Sequence, residues 1–238
     1  SGTPTGSTSQ SWSWDAPTDV SGIADYIYRV TGGTSGTDTI IPETSTGNAT
    51  SVLTNLLEGI YNFFVKAIDS AGNQSSEASF NLVVDTTAPS IPVASPAAGD
   101  YITDQSVILS SADDGSGLDK IYFTTDGSDP DSTKTEYIAA ITVDKDMTIK
   151  AIAYDKAGNT SAVLTVAYGI APVISAETAS SVADTTATVT WITDDPATSR
   201  VVYDTVSHPI LDAAPNYGYA NSTVEADSSP KVTAHSVA

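Results

Sequence analysis

Three groups of aspartates are the residues of this sequence that could bind a metal ion. Calcium takes about six to eight oxygen ligands from carboxylates and carbonyls, so calcium is the one cofactor that these groups indicate. None of them has the spacing of an EF-hand loop, and aspartate beside glycine or proline is also an ordinary turn residue. We therefore weigh calcium against solvated turns, and the loop of Asp113 and Asp114, near a domain junction, is the best calcium candidate. The groups are Asp113 with Asp114, Asp126 with Asp129 and Asp131, and Asp194 with Asp195.

Residues that could perform catalysis are sparse. The two histidines, His208 and His235, are far apart in the sequence, and the chain has neither a cysteine nor a Gly-x-Ser-x-Gly motif. Paired carboxylates are numerous, but in an acidic chain rich in turns they are expected to be solvated. The sequence therefore predicts a protein that is not an enzyme and has no cofactor other than calcium.

Tryptophans could instead provide flat surfaces on which sugars stack. Trp12 and Trp14 alternate with serine in a run that ends at a proline, which is typical of a half-buried strand, and Trp191 lies in a similar alternating run. Small β-sandwiches use large aromatic side chains of this kind to fill their cores. We therefore expect Trp14 and Trp191 to be core residues and not a carbohydrate platform.

The charge of the chain excludes several classes of partner. Nine basic residues stand against 29 acidic ones, which gives a net charge of −20. No basic stripe could displace counterions from nucleic acid, and anionic membranes would repel the chain. No apolar run reaches the length of about 18 residues that a membrane span needs, so no membrane insertion is predicted. The absence of cysteine fits an intracellular or a prokaryotic surface protein, and the acidic, Ser/Thr-rich composition favours an extracellular or cell-surface location.

A repeated loop organises the chain. The pattern Asp-x-Ala-Gly-Asn occurs at residues 69–73 and again at residues 155–159, each time between two β-rich runs. The glycine supplies a positive φ, and the aspartate can accept N–H groups of its own loop, so the pattern predicts a structural turn. The repeat is as long as a small domain and too long for a solenoid unit. The predicted turn residues are Asp69, Gly72, Asn73, Asp155, Gly158 and Asn159.

The loops and the prolines divide the chain into three predicted domains. We place them at residues 1–87, 88–169 and 170–238, all of them β-sandwiches. Pro89 and Pro92 fix φ and remove backbone donors, so the first junction is expected to be extended and fairly stiff.

The first domain carries two family resemblances. Residues 56–67, Leu-x-x-Gly-x-Tyr-x-Phe-x-Val-x-Ala with one further leucine, resemble fibronectin type III domains, in which the tyrosine packs at the sandwich corner. That resemblance implies the corner role for Tyr61. The motif Asp-x-Ser-Gly-Ile/Leu, at residues 19–23 and 114–118, resembles bacterial extracellular immunoglobulin-like repeats.

The other two domains resemble different families. Residues 121–130 and 148–153 resemble the chitobiase/β-hexosaminidase C-terminal type domain, an immunoglobulin-like accessory domain of secreted and surface proteins. Residues 186–203 resemble the fibronectin type III domain of purple acid phosphatase-type secreted proteins, which carries no metal ligand. These resemblances imply a first domain without its first strand and a last domain without its last strands. An excerpt of a longer protein, strands from a neighbouring subunit, or a wrong strand count would each explain this.

Four Asn-x-Ser/Thr sequons could accept glycans. Asn73 and Asn159 already have turn roles, so Asn48 and Asn221 are the better acceptors.

Together these observations predict a non-catalytic structural or spacer segment of a prokaryotic extracellular or cell-surface protein, which could assemble into a fibre, sheath or surface layer. Its partners would be other copies of itself or flanking domains of the same protein. The alternative is an accessory region of a secreted glycoside hydrolase or phosphatase, with a polysaccharide as partner.

Overall fold

The computed structural model describes residues 2–33, 38–183, 186–203, 219–227 and 230–237. The chain is all-β, with tandem β-sandwich domains, and the described residues form no helix and therefore none that could cross a membrane. Its contacts group into two compact units. The first comprises residues 1–97, 107–141 and 148–166, and the second comprises residues 98–106, 142–147 and 167–238. The boundaries of the three predicted domains stay a prediction.

The first part of unit 1 is a sandwich of two antiparallel sheets. A four-stranded sheet has the order β3–β2–β5–β6, and β1 and β4 form a second sheet. The strands are β1 Ser9–Ser13, β2 Ile23–Gly33, β3 Asp38–Ser45, β4 Ser51–Asn55, β5 Gly59–Asp69 and β6 Ala78–Val84. Inward residues alternate along β5, where Tyr61, Phe63, Val65 and Ala67 are all buried. These side chains meet Trp12 of β1 and Leu56 after β4 in one hydrophobic core.

The start of the chain adds an extended segment to the edge of β6. Thr5 bridges Val84 in parallel, and the N–H of Gly2 donates to the carbonyl of Asn81 at 2.8 Å. Among the described residues, the sheet of β1 and β4 has two strands. That the first domain lacks its first strand stays a prediction.

The second part of unit 1 repeats the sandwich pattern. In one sheet β11, β10, β13 and β14 lie in that order, and in the other β7 pairs with β9. Burial alternates along β9 and β13, as expected for strands with one face on a core. The strands are β7 Val93–Ser95, β9 Gln105–Ser110, β10 Leu118–Thr124, β11 Thr135–Glu136, β13 Met147–Asp155 and β14 Leu164–Ile170.

Unit 2 contains the remaining strands. Its main sheet is antiparallel with the order β15–β16–β19, β17 pairs with β18, and Tyr168–Ile170 of β14 pair in parallel with β8. The strands are β8 Gly99–Tyr101, β12 Ile141–Val143, β15 Ile174–Ser180, β16 Thr188–Ala197, β17 Val202–Tyr203, β18 Asn221–Ser222 and β19 Val232–Val237. Trp191, Thr193 and His235 are buried on this sheet.

Candidate functional site

The two Asp-x-Ala-Gly-Asn loops share the hydrogen bonds between their aspartate and their asparagine. In the first loop, the Oδ1 of Asp69 accepts the N–H of Asn73 at 2.8 Å, and the amide of Asn73 donates to the Oδ2 of Asp69 at 2.8 Å. In the second, Asn159 bonds both carboxylate oxygens of Asp155 in the same way, at 2.8 and 2.7 Å. The glycine of each loop has a positive φ, +89° in one and +91° in the other. The hydrogen bonds from Asn73 lower the pKa of Asp69.

The second loop makes additional contacts with the linker between the two sandwiches of unit 1. The side-chain amide of Asn159 also donates to the carbonyl of Asp85 at 2.8 Å and to the carbonyl of Thr87 at 3.2 Å. Nearby, the N–H of Gly6 donates to the carbonyl of Ala157 at 3.1 Å. The loop therefore closes its own turn and also holds the linker that follows β6.

Asp85 is the buried residue at the centre of this junction. Its side chain accepts the N–H of Thr87 at 3.0 Å and the N–H of Ser116 at 2.6 Å, and only 1% of the residue is exposed. Burial alone would raise the pKa of Asp85, but the hydrogen bonds from Ser116 and Thr87 outweigh it and the pKa is lowered. A Cβ on Gly115 would lie 2.5 Å from this carboxylate, so the loop can approach Asp85 only with glycine at that position.

Three aspartates from separate segments meet at the junction, and we name Asp85, Asp113 and Asp155 the junction cluster. One carboxylate oxygen from each lies within 4.8 Å of the others, and Asp85 and Asp155 are almost fully buried. Asp113 is held by the N–H of Gly117, which donates to its Oδ2 at 2.7 Å. Carboxylate oxygens are the ligand type that calcium prefers, and these three would supply a part of the about six to eight oxygens that it takes.

The other predicted calcium ligands lie elsewhere. Asp114 is exposed. Asp126 accepts the N–H and the hydroxyl of Ser128, which lower its pKa, and Asp129 forms an ion pair with Lys150 at 2.8 Å. Of the seven aspartates in the three candidate groups, the structure brings only Asp113 to the junction cluster. Sequence reasoning missed Asp85 as a member of the junction cluster and treated Asp155 as a turn residue alone. Asp85 begins the boundary that contains Pro89 and Pro92, but that position by itself does not indicate a cluster.

The predicted core residues occupy three different environments. Tyr61 is 2% exposed, and its hydroxyl donates to the carbonyl of Leu57 at 2.8 Å. Trp191 is buried and stacks on His235 with ring centroids 5.3 Å apart. Trp14 is only partly buried, and its indole N–H is a buried donor without a hydrogen-bond partner among the described residues.

The predicted glycan acceptors differ in accessibility. Asn48, Asn73 and Asn221 are exposed, whereas Asn159 is half-buried and its amide already serves three acceptors. A glycan on Asn159 would displace the linker contacts, and one on Asn73 would disturb the bond from its amide to Asp69. Asn48 and Asn221 therefore stay the predicted acceptors.

A buried network around His235 was not anticipated. Its Nε2 lies 2.9 Å from the hydroxyl of Thr193 and its Nδ1 lies 3.1 Å from Asp227. The hydroxyl of Ser199 also donates to Asp227, and it lowers the pKa of Asp227 more than His235 does. His235 and Thr193 are 3% and 4% exposed, so a substrate has no access to this pair. His208 lies outside the described residues.

Comparisons with known proteins agree with this architecture. Residues 19–86 match the family model of the bacterial Ig-like domain, and residues 96–165 match that of the chitobiase/beta-hexosaminidase C-terminal domain. No curated protein matches the chain. The resemblance of residues 186–203 to a phosphatase-type fibronectin domain stays a prediction.

Solved structures with some likeness are also strings of such domains. The fibronectin(III)-like modules of Clostridium thermocellum CbhA have 16% identity and a TM-score of 0.38, over 71% of this chain and 87% of that chain. The FN1-FN3 domains of chicken CNTN1 have 10% identity and a TM-score of 0.26, over 97% of this chain and 84% of that one. At such TM-scores these likenesses carry no argument about function. By the family models, two successive segments of this chain are similar to a bacterial Ig-like domain and then to a chitobiase/beta-hexosaminidase C-terminal domain.

Proposed function

We propose that this chain is a non-catalytic structural spacer of an extracellular or cell-surface protein. The observation that carries the proposal is the contact of Asn159 with the carbonyls of Asp85 and Thr87. A loop of the second sandwich thereby forms hydrogen bonds with the backbone of the linker that follows the first sandwich. The linker in unit 1 is therefore held in place and is not flexible.

Further contacts hold both ends of the linker. Beyond Asp85, the N–H of Ser90 donates to the carbonyl of Ala112 at 2.8 Å, and a proline lies on either side of that position. Each contact removes freedom that a flexible linker of the same length would keep. A spacer needs a linker with few accessible conformations, because it must hold its two domains at a fixed distance.

The composition supports an extracellular setting. Bacterial Ig-like domains of the kind matched here are common in extracellular proteins. The charge of −20 keeps neighbouring molecules apart unless cations bridge them.

The stiffness of the junction can be measured directly. The chain has no cysteine, so spin labels at Ser51→Cys and Ser132→Cys, both exposed positions, report one distance across the junction. We expect a narrow distance distribution in pulsed electron resonance, broadened by Asn159→Ala. Asn73→Ala is the matched control, because that asparagine has the same turn role without the linker contacts. A broad distribution in the parent would contradict the spacer proposal, and equal widths in all three proteins would show that Asn159 does not hold the junction.

A second candidate is an accessory region that holds a secreted hydrolase near a polysaccharide. The match of residues 96–165 to the chitobiase/beta-hexosaminidase C-terminal domain favours it. Co-sedimentation with insoluble chitin tests it: retention of the chain on chitin, lost with excess soluble chitooligosaccharide, would support this candidate over the spacer.

A further inference from the structure

Two Asp-Gly pairs occur in the sequence, Asp114–Gly115 and Asp126–Gly127. An Asp-Gly pair can isomerise spontaneously, because glycine has no side chain that shields its backbone nitrogen from the carboxyl of the preceding aspartate. Both pairs lie in exposed loops. The two carboxyl groups nevertheless have different surroundings, and these surroundings determine which pair is free to react.

The reaction needs only the chain and water. The backbone nitrogen of the glycine attacks the side-chain carboxyl carbon of the aspartate, a C–N bond forms, and the carboxyl OH leaves as water with the proton of the nitrogen. The product is a five-membered succinimide ring, which a water molecule then opens at either carbonyl. Opening at the main-chain carbonyl breaks the original peptide C–N bond and leaves the side-chain carbon atoms in the main chain, as isoaspartate.

The reacting groups of the first pair are both available. Asp114 and Gly115 are exposed, and neither the carboxylate of Asp114 nor the N–H of Gly115 has a hydrogen bond or ion pair with another described residue. The nitrogen and the carboxyl carbon can therefore meet without the loss of another interaction of these groups.

The carboxylate of the second pair is already bonded. The Oδ1 of Asp126 accepts the backbone N–H of Ser128 at 3.0 Å and the hydroxyl of Ser128 at 2.6 Å. Asp126 also forms a β-bridge with Thr148, which fixes its backbone. The hydrogen bonds from Ser128 lower the pKa of Asp126, so that less of the reactive protonated carboxyl is present. The second pair is therefore an internal control for the first.

The packing at the junction cluster explains why the first pair contains glycine. A Cβ at position 115 would lie 2.5 Å from the carboxylate of Asp85. A larger residue, which would shield the backbone nitrogen and slow the reaction, does not fit there. The glycine that makes the pair labile is thus the same glycine that allows the loop to approach Asp85.

The residue after this pair contributes to the junction. The N–H of Ser116 donates to the carboxylate of Asp85 at 2.6 Å, and the hydroxyl oxygen of Ser116 accepts the N–H of Ala157 at 3.1 Å. Isoaspartate at position 114 adds one carbon atom to the main chain just before Gly115. The added carbon displaces Ser116, so its two hydrogen bonds cannot both keep their lengths.

We propose that Asp114–Gly115 is a spontaneous isomerisation site whose conversion to isoaspartate loosens the junction in unit 1 as the protein ages. The choice of Asp114 over Asp126 follows from the surroundings of the two carboxyl groups alone. The loss of stiffness rests in addition on the proposed spacer function.

The chemical step is tested on the full chain, incubated at neutral pH well below its Tm. Mass spectrometry with electron-transfer fragmentation locates isoaspartate in the chain. We expect about tenfold more of it at Asp114 than at Asp126, the ratio that one or two additional hydrogen bonds to be broken would give. Asp114→Glu should stay unmodified at this position, because its reaction requires a larger ring. No isoaspartate at Asp114, or an equal amount at Asp126, would overturn the proposal.

The effect on the junction is measured with the spin-label pair Ser51→Cys and Ser132→Cys. We expect the distance distribution of the aged parent to be broader than that of the fresh parent, and that of Asp114→Glu to keep its width. An unchanged width in a sample that contains isoaspartate at position 114 would overturn the loosening of the junction. A broad distribution in the fresh parent would instead contradict the spacer function, while the isoaspartate map would still decide the site of the reaction.

Discussion

The side-chain amide of Asn159 lies 2.8 Å from the carbonyl oxygen of Asp85, 74 residues earlier in the chain. This hydrogen bond joins a turn of one sandwich to the backbone that leaves another. The same amide closes its own loop through Asp155. One side chain therefore couples the folding of a hairpin to the geometry of a domain junction.

Replacing the two equivalent asparagines should have unequal effects. Asn159→Ala removes three hydrogen bonds from the side-chain amide, whereas Asn73→Ala removes one. At about 0.5–1.5 kcal/mol for each bond, we expect Asn159→Ala to cost about 1–3 kcal/mol more in free energy of unfolding. Urea denaturation of both variants measures the difference, and equal losses would show that the linker contacts contribute nothing to stability.

The junction should be sensitive to acid through Asp85. Its pKa in the folded protein is below the unfolded value of about 3.9. The ionised carboxylate of Asp85 therefore stabilises the folded protein fully above the pKa of the unfolded state. This stabilisation is lost as the pH falls through the pKa of Asp85 in the folded state. We expect the Tm of the parent to fall more steeply below about pH 4 than that of Asp85→Asn, which cannot titrate at this position. Parallel Tm profiles would contradict this account.

Calcium binding stays a prediction, and the junction cluster is the candidate site in the structure. Calcium that binds only the folded chain raises its stability, by about 2.7 kcal/mol at a concentration of 100 times Kd. We expect calcium to raise the Tm of the parent and of Asp129→Asn but not that of Asp113→Asn. No change in Tm between calcium and a chelator would exclude the site, and a rise lost only in Asp129→Asn would place it in the turn of Asp126.

The two neighbouring tryptophans should respond differently to phenylalanine. The indole of Trp12 donates to the hydroxyl of Thr54 at 2.8 Å, whereas the indole N–H of Trp14 has no partner in the part of the chain that the structure describes. Trp12→Phe leaves the buried hydroxyl of Thr54 unpaired, at a cost of about 1–3 kcal/mol besides the lost packing. Trp14→Phe removes an unpaired donor, so we expect it to lower the Tm by less than Trp12→Phe does. The reverse order would mean that packing of Trp14 outweighs this effect.

The sequence predicted the fold class and the turn chemistry because both are local. Alternation along β5 and the Asp-x-Ala-Gly-Asn pattern each lie within a dozen residues, and the structure shows the corresponding strands and loops. The junction cluster joins three segments that are far apart in the chain. Asp113 was a calcium candidate because it adjoins Asp114 in the sequence. Nothing in the sequence around Asp85 indicates that its side chain joins a cluster.

The two Asp-x-Ala-Gly-Asn loops show most clearly that a local sequence pattern does not predict contacts with distant parts of the chain. Asn73 and Asn159 occupy the same position in the same pattern, yet only Asn159 meets a linker. The difference arises from what lies beside the loop in the fold. The network of His235, Thr193 and Asp227 was missed for the same reason, since its members come together only when β16 pairs with β19.

The contact of Asn159 with main-chain carbonyls has an evolutionary consequence. Because the loop recognises the backbone at positions 85 and 87 and not their side chains, mutations in the linker sequence leave these hydrogen bonds possible. A domain that carries this loop can therefore follow different upstream domains, provided that they end in an extended strand and keep an aspartate at the position of Asp85, whose carboxylate binds Ser116. Gene duplication and shuffling can then lengthen or reorder such an array without inventing a new connector each time.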